Sequence, residues 1–137
     1  MNFDECHRII KKGDVVSLRH AIDSGNIDPN LRNQFSWTLL MLAALEGNTS
    51  IGELLLERGA SVNALNNFGE TAMSLAAHKG HVSFVRMVLE AGASPDVRPH
   101  GHSLEDWLKS TTGLRPAKID SILQIVKATR RERKSID

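Results

Sequence analysis

The chain contains the same segment twice, because residues 37–47 recur in similar form as residues 70–80. The two copies share a threonine, an alanine pair and a closing glycine, and a Gly-Ala pair follows each copy at the same distance. We call the offset from residue 37 to residue 70 the repeat length. A unit of this length cannot bury its apolar face alone and gains a core only by stacking on its neighbours. The repeat therefore predicts a solenoid, which leaves a long surface free for binding.

Each copy has the pattern of two short helices. In the second copy, Thr71 is placed to cap a first helix, because its hydroxyl can accept a bond from a free amide at the helix start. Gly80 follows the end of that helix, and residues 81–90 have apolar side chains at helical spacing before Gly92. The first copy has equivalents in Thr38, Gly47 and Gly59. We expect Gly59 and Gly92 to adopt positive φ.

These motifs resemble the ankyrin repeat, whose unit is written around Gly-x-Thr-Pro-Leu-His-x-Ala-Ala, then Gly-His, an apolar helix and Gly-Ala-Asp-x-Asn. The second copy reads Thr71-Ala-Met-Ser-Leu-Ala-Ala77 with Gly80-His81. The resemblance implies an all-α ankyrin-repeat solenoid of stacked helix-turn-helix units with β-hairpin-like turns. In it, His81 would be a structural histidine with its hydrogen bonds satisfied.

The two copies depart from the family pattern at two positions. Leu39 and Ala72 stand where the family has proline, and Met41 and Ser74 stand where it has its first histidine. From these losses we expect weaker hydrogen bonding between neighbouring hairpins and a less rigid stack.

Both ends of the chain carry degenerate copies, which would cap the stack. The N-terminal one would begin with a helix over residues 3–12. Near the C-terminus, Ser103 and Asp106 can form a capping box. Residues 116–127 predict a last helix with Ile119, Ile122, Leu123 and Val126 as its buried stripe. The whole would be one domain over residues 1–128, with units of about 3–32, 33–65, 66–98 and 99–128, and a basic tail over 129–137.

Composition limits the compartment and the class of partner. Cys6 is a lone cysteine, no apolar run is long enough to span a membrane, and the start lacks a signal-peptide layout, so we expect a cytoplasmic or nuclear protein. Residues 127–137 carry a formal charge of +3 and the rest of the chain −2. That balance argues against nucleic-acid binding by the body of the chain.

The sequence has no pattern typical of an enzyme or a metal site. Cys6 has His7 beside it, but adjacent residues of a helix point in different directions, which favours an inert thiol over a nucleophile. His100 and His102 flank a glycine, and two ligands are too few for a metal ion. We therefore expect a non-enzymatic protein without cofactor or metal.

The resemblance implies that another protein binds to the hairpin tips and to the inward-facing first helices. Phe35 and Phe68 lie at equivalent turn positions, where they either contact a partner or pack hairpin on hairpin. Trp37 has no aromatic counterpart in the next copy and is the best single contact candidate. Carried over position by position, the surface comprises Gln34, Phe35, Trp37, Leu45, Glu46, Leu65, Asn67, Phe68, Glu70, His78, Lys79, Arg98, His100 and His102.

We expect a non-enzymatic adaptor or inhibitor, monomeric when free, that binds a partner protein through this surface. The alternative is association with nucleic acid or with an acidic partner through the basic tail, which could also serve nuclear import. A solvated helix end with cations near its C-terminus explains the tail equally well.

Overall fold

The structure is a computed structural model that describes residues 1–136. Residue 137, the last of the predicted basic tail, lies outside the described residues. Within residues 1–136 there are eight α-helices and one 3₁₀ turn. Their bounds are α1 Phe3–Lys12, α2 Val15–Asp23, α3 Leu39–Glu46, α4 Thr49–Glu57, α5 Ala72–His78, α6 Val82–Glu90, the 3₁₀ turn Pro99–Gly101, α7 Leu104–Thr111 and α8 Pro116–Ile136.

The helices form two rows. The first helices of the four pairs, α1, α3, α5 and α7, pack on one another in chain order, and the second helices, α2, α4, α6 and α8, do the same. Only a few residues link the helices of each pair, which is the connection expected for antiparallel neighbours. The predicted all-α solenoid is confirmed. The β component in the described part of the chain is one isolated antiparallel bridge, between Arg32 and Thr38.

Threonine caps begin the two central first helices, as predicted. The Thr38 and Thr71 hydroxyls accept bonds of 3.2 Å from the amides of Met41 and Ser74. In the third unit the Ser74 hydroxyl also accepts a bond of 2.9 Å from the Thr71 amide. In the second unit the Met41 sulfur, a weak acceptor, takes the place of that hydroxyl at 3.4 Å. The residues that replace the family histidine therefore complete the helix caps.

The start of α7 is capped on one side only. The Ser103 hydroxyl accepts a bond of 3.1 Å from the Asp106 amide. The return bond from the Ser103 amide to the Asp106 carboxylate, which a capping box requires, is not among the bonds of residues 1–136. The predicted capping box is thus half formed.

One contact repeats where each first helix ends. Gly47 has φ of +67°, and a Cβ on it would lie 2.5 Å from Nδ1 of His81 in the next unit. His81 Nε2 lies 3.0 Å from the Leu45 carbonyl oxygen, so this ring is hydrogen-bonded as expected of a structural histidine. Leu114, one repeat length after His81, covers Gly80 in the same way. Glycine at these positions lets the next unit approach closely.

Asparagine side chains join neighbouring units at the turns that follow the second helices. Asn30 donates a bond of 3.0 Å to the Gly59 carbonyl and accepts one of 2.8 Å from the Ser61 amide. Asn63, one repeat length later, makes the same two bonds to the following unit. An amide group can do both because it carries a donor and an acceptor.

The last helix extends beyond its predicted end. α8 buries Ile119, Ile122, Leu123 and Val126, as the sequence predicted, and then continues past residue 128 without a break. The Arg133 guanidinium donates bonds of 2.8 and 2.6 Å to the carbonyl oxygens of Leu89 and Ala93, at the end of α6. Arg133 belongs to the part of α8 from Lys127 to Lys134, which we call the basic segment, and it holds α8 against the third unit.

Candidate functional site

The first two hairpin tips have the same internal design. The Asn33 side-chain oxygen accepts bonds of 2.9 and 3.0 Å from the amides of Phe35 and Trp37. The Asn66 side-chain oxygen accepts bonds of the same lengths from the amides of Phe68 and Glu70. These bonds fold each tip into a compact turn and fix the direction of its aromatic residue.

Neighbouring tips are joined through their backbones. The Asn67 amide donates a bond of 3.0 Å to the Phe35 carbonyl, and the His100 amide donates one of 3.0 Å to the Phe68 carbonyl. These bonds connect the three tips even though the family proline and histidine are missing. The tips at residues 31–37, 64–70 and 97–103 therefore form one continuous strip, which we call the tip strip.

The tip strip exposes three large apolar side chains. Phe35 is 48% exposed, Leu65 54% and Phe68 45%. The other exposed large apolar side chains in the described part of the chain are Met1, before α1, and Val16, on α2. Phe68 also stacks on the His100 ring of the next tip, with centroids 5.9 Å apart. Packing between hairpins and contact with a partner are therefore compatible roles for this phenylalanine.

Trp37 and Glu70, at equivalent positions, are less accessible than the exposed residues of the tips. Trp37 is half-buried and packs against the hydrophobic core. Glu70 is 8% exposed. Its carboxylate accepts a bond of 2.8 Å from the Asn66 side chain and lies 3.2 Å from His100 Nε2. Because one carboxylate oxygen is used within the tip and the other by the neighbouring tip, we leave Glu70 out of the proposed surface.

An aromatic and histidine cluster connects the tip strip to the first-helix row. The buried Trp107 ring of α7 lies 4.5 Å from the His78 ring and 5.8 Å from the His100 ring, measured between centroids. His78 Nε2 lies 3.0 Å from Oγ1 of Thr111. Burial, and then the neighbouring Lys79 charge, lower the pKa of His78 below its usual value. The neutral ring is therefore favoured in the folded protein.

The remaining predicted contacts differ in their exposure. Leu45 is half-buried against the core, and its carbonyl is the acceptor for His81. Arg98 is exposed and donates a bond of 3.0 Å to the Gly101 carbonyl. The other exposed members are Gln34, Glu46, Asn67, Lys79 and His102.

The groups considered for chemistry are engaged in structural roles. The Cys6 side chain is fully buried, and burial raises the pKa of its thiol, which keeps it protonated and unreactive. His100 Nε2 faces the Glu70 carboxylate. Residues 1–136 contain no group of three or more His, Cys, Asp or Glu side chains placed to hold a metal ion. Among the helices of that range, none has the length and apolarity needed to cross a membrane.

The sequence prediction missed several residues that organise the site. Asn33 and Asn66 shape the first two tips, and Asn30 and Asn63 fasten the units. The members of each pair are separated by the same repeat length as the glycines and threonines, so the repeat itself carried the signal.

Comparison with known proteins agrees with this architecture. The family model described as "Ankyrin repeats (3 copies)" matches residues 6–99, which is more than half of the chain. A curated relative, the E3 ubiquitin-protein ligase Ufd4 of Drosophila melanogaster, is 41% identical over 66 residues. The match covers 45% of this chain but 2% of the ligase, so the chain spans only a small fraction of that relative. From the family match and the stack of helix pairs we conclude that the chain belongs to the ankyrin-repeat family.

Proposed function

We propose that this protein is a non-enzymatic adaptor or inhibitor that binds a partner protein through the tip strip and the adjoining ends of the first helices. Ankyrin repeats are protein-interaction modules, and the family is generally non-enzymatic. The likeness to the ligase covers 2% of that protein, so no ligase activity is carried over to this chain.

The observation that carries the proposal is the exposure of Phe35, Leu65 and Phe68 on one strip. Adjacent exposed apolar side chains with polar neighbours are typical of protein-binding surfaces, and aromatic side chains are frequent anchors in them. The backbone bonds between tips hold the backbone at Phe35 and Phe68, which reduces the conformational entropy lost on binding.

The basic segment of α8 is a weaker candidate for the binding surface. Arg130 and Arg133 donate hydrogen bonds to the third unit and are only half-exposed. Lys127, Arg131 and Lys134 remain exposed, so fewer cations face outward than the sequence alone suggests.

The proposal is tested by affinity capture from cell lysate with matched variants. Leu65→Ser removes an exposed apolar side chain from the tip strip, and Val16→Ser removes one from α2, where Val16 is 68% exposed. We expect Leu65→Ser to reduce the captured partner and Val16→Ser to leave it unchanged. Equal capture by both variants would refute binding at the tip strip.

Trp37→Ala is less suitable as the main probe. The indole is half-buried against the core, so its removal lowers stability as well as any contact with a partner. Its effect on binding therefore has to be read beside its free energy of unfolding.

A further inference from the structure

The outward charge of the tip strip is positive. Arg32 and Arg98 are exposed in the first and third tips, and Glu70 is the one carboxylate among residues 31–37, 64–70 and 97–103. The Glu70 side chain is 10% exposed and faces Asn66 and His100. By contrast, the chain before residue 127 has a formal charge of −2. The tip strip is thus a basic region on a mildly acidic body.

The two arginines retain most of their donors. Arg32 Nη1 lies 3.5 Å from the Leu65 carbonyl, and Arg98 Nη2 lies 3.0 Å from the Gly101 carbonyl. A guanidinium carries five N–H groups, so each contact leaves donors free. Neither arginine is in an ion pair within residues 1–136. Free guanidinium donors are well suited to bind a carboxylate in bidentate fashion.

An apolar side chain lies between these cations. Leu65 occupies the position in the middle tip that Arg32 and Arg98 occupy in the outer two, since one repeat length separates it from each of them. It is 54% exposed, and Phe35 and Phe68 lie on the same strip. The order along the stack is therefore cationic, apolar, cationic.

We propose that the tip strip binds an extended peptide segment of the partner in which two acidic side chains flank an apolar one. This inference rests on the proposed function and specifies its ligand. The acidic side chains pair with Arg32 and Arg98, and the apolar side chain packs on Leu65. Phe35 and Phe68 offer stacking faces for a base, but Leu65, between the two cations, offers none. The chain before residue 127 is also mildly acidic, and together these features favour a peptide over a nucleic acid.

The geometry also sets the spacing of the acidic residues. The two guanidinium groups are held against the backbones of adjacent tips, at Leu65 and Gly101. Packed helices lie about 8–10 Å apart, and the tips of adjacent units follow that spacing. An extended chain advances about 3.3 Å per residue and alternates its side chains between two faces. Arg32 and Arg98 themselves belong to tips two spacings apart, about 16–20 Å, whereas their guanidinium groups approach adjacent tips, about 8–10 Å apart. Acidic residues four positions apart span about 13 Å, which lies between these two distances, and with the apolar residue midway all three side chains are on one face.

The test uses a fluorescein-labelled peptide containing Glu-Thr-Leu-Thr-Glu and measures its binding by fluorescence anisotropy. We expect the natural chain to bind it and the Arg32→Glu/Arg98→Glu protein to bind it about tenfold or more weakly. The matched control is Arg19→Glu/Arg86→Glu, which makes the same charge change at exposed residues of α2 and α6. This control should lose much less affinity.

Two further ligands test the need for the apolar side chain and the preference for a peptide over a nucleic acid. A peptide with Ser in place of Leu should bind more weakly than the original, because it cannot pack on Leu65. A thymidine oligonucleotide should bind more weakly than the original peptide. The proposal is overturned if the acidic peptide does not bind, if both arginine pairs matter equally, or if the oligonucleotide binds more tightly.

The captured partner distinguishes this inference from the proposed function. If Leu65→Ser weakens capture of the partner and Arg32→Glu/Arg98→Glu does not, the tip strip is the binding surface and the acidic-ligand assignment is wrong. If neither variant changes capture, the proposed function fails as well. If both variants lose capture of the partner and the peptide binds, the results support binding at the tip strip and also the acidic ligand.

Discussion

The Asp96 carboxylate accepts a hydrogen bond of 2.7 Å from the Arg130 guanidinium, at the position where the two preceding units have Asn30 and Asn63. Each asparagine bonds to a carbonyl and an amide of the next unit. A carboxylate only accepts, so Asp96 is matched to a donor on α8 instead. The substitution of Asp for Asn thus coincides with the end of the regular stack.

We predict that Arg133→Ala lowers the free energy of unfolding by about 1–2 kcal/mol, because it removes two hydrogen bonds to carbonyl oxygens at the end of α6. Urea unfolding measures the change. Arg131 is exposed two residues earlier on the same helix, and Arg131→Ala should change stability by less than about 0.5 kcal/mol. Equal effects would mean that the basic segment is not docked on the third unit.

The two glycines of the first full unit should differ in their tolerance of a methyl group. Gly59 has φ of +95° with nothing within 4 Å of an added Cβ, so Gly59→Ala should cost about 1–2 kcal/mol from backbone conformation alone. Gly47→Ala adds a clash with the His81 ring and should cost at least about 1 kcal/mol more. Urea unfolding of both variants gives the comparison.

A double-mutant cycle assigns the extra effect at Gly47. In a His81→Ala background the clash is absent, so the added penalty of Gly47→Ala should largely disappear. A penalty that persists in that background would show that His81 does not limit this position.

Ser36 should be a position where glycine is stabilising. It has φ of +63°, whereas the equivalent residue of the next unit is Gly69, with φ of +73°. Glycine relieves the strain of the left-handed conformation, and this gain exceeds the extra backbone entropy that glycine loses on folding. Ser36→Gly should therefore raise the unfolding free energy by about 0.5–1 kcal/mol. The reciprocal change, Gly69→Ser, should lower it. Thermal unfolding that shows Ser36→Gly to be destabilising would contradict this geometry.

Stability should decline in mild acid partly because of His78. Burial and Lys79 lower the pKa of this residue from the usual 6.5, so the folded state binds its proton less readily than the unfolded state. The stabilising contribution is complete above pH 6.5 and is lost as the pH falls through the folded-state pKa. His78→Gln should reduce the change in unfolding free energy between neutral and mildly acidic pH.

The control for this prediction is His20→Gln, on the exposed surface of α2. It makes the same substitution on the surface, so its pH profile of unfolding free energy is the reference for that of His78→Gln. A nuclear magnetic resonance titration that places the His78 midpoint above 6.5 would contradict the direction of the shift.

The fold was predictable because its main signals are local. A threonine that caps a helix and a glycine that ends it act within a few residues, and the chain repeats them at one fixed repeat length. The sequence also indicated the apolar stripe of α8. Its continuation beyond residue 127 was not indicated, because it depends on bonds from Arg133 to carbonyl groups of α6 and the turn after it, which are distant in the chain.

The accessibility of the candidate site was less predictable for the same reason. Glu70 was assigned to the surface from its position in the repeat. Its partner, His100, lies in the third tip. That tip differs from the first two tips, because Pro99 stands where they have asparagine. Trp37 was expected to project as a contact and packs partly on the core. Burial depends on which side chain the neighbouring unit supplies, and the repeat pattern of one unit does not contain that information.

Mapping the contact surface in solution tests most directly whether a partner protein binds at the tip strip. The ¹⁵N-labelled chain would be titrated with the captured partner while amide chemical shifts are recorded. Binding at the tip strip predicts the largest changes at Phe35, Leu65, Phe68 and His100, with little change on α2 and α4. Changes confined to the second helices or to the basic segment of α8 would contradict it.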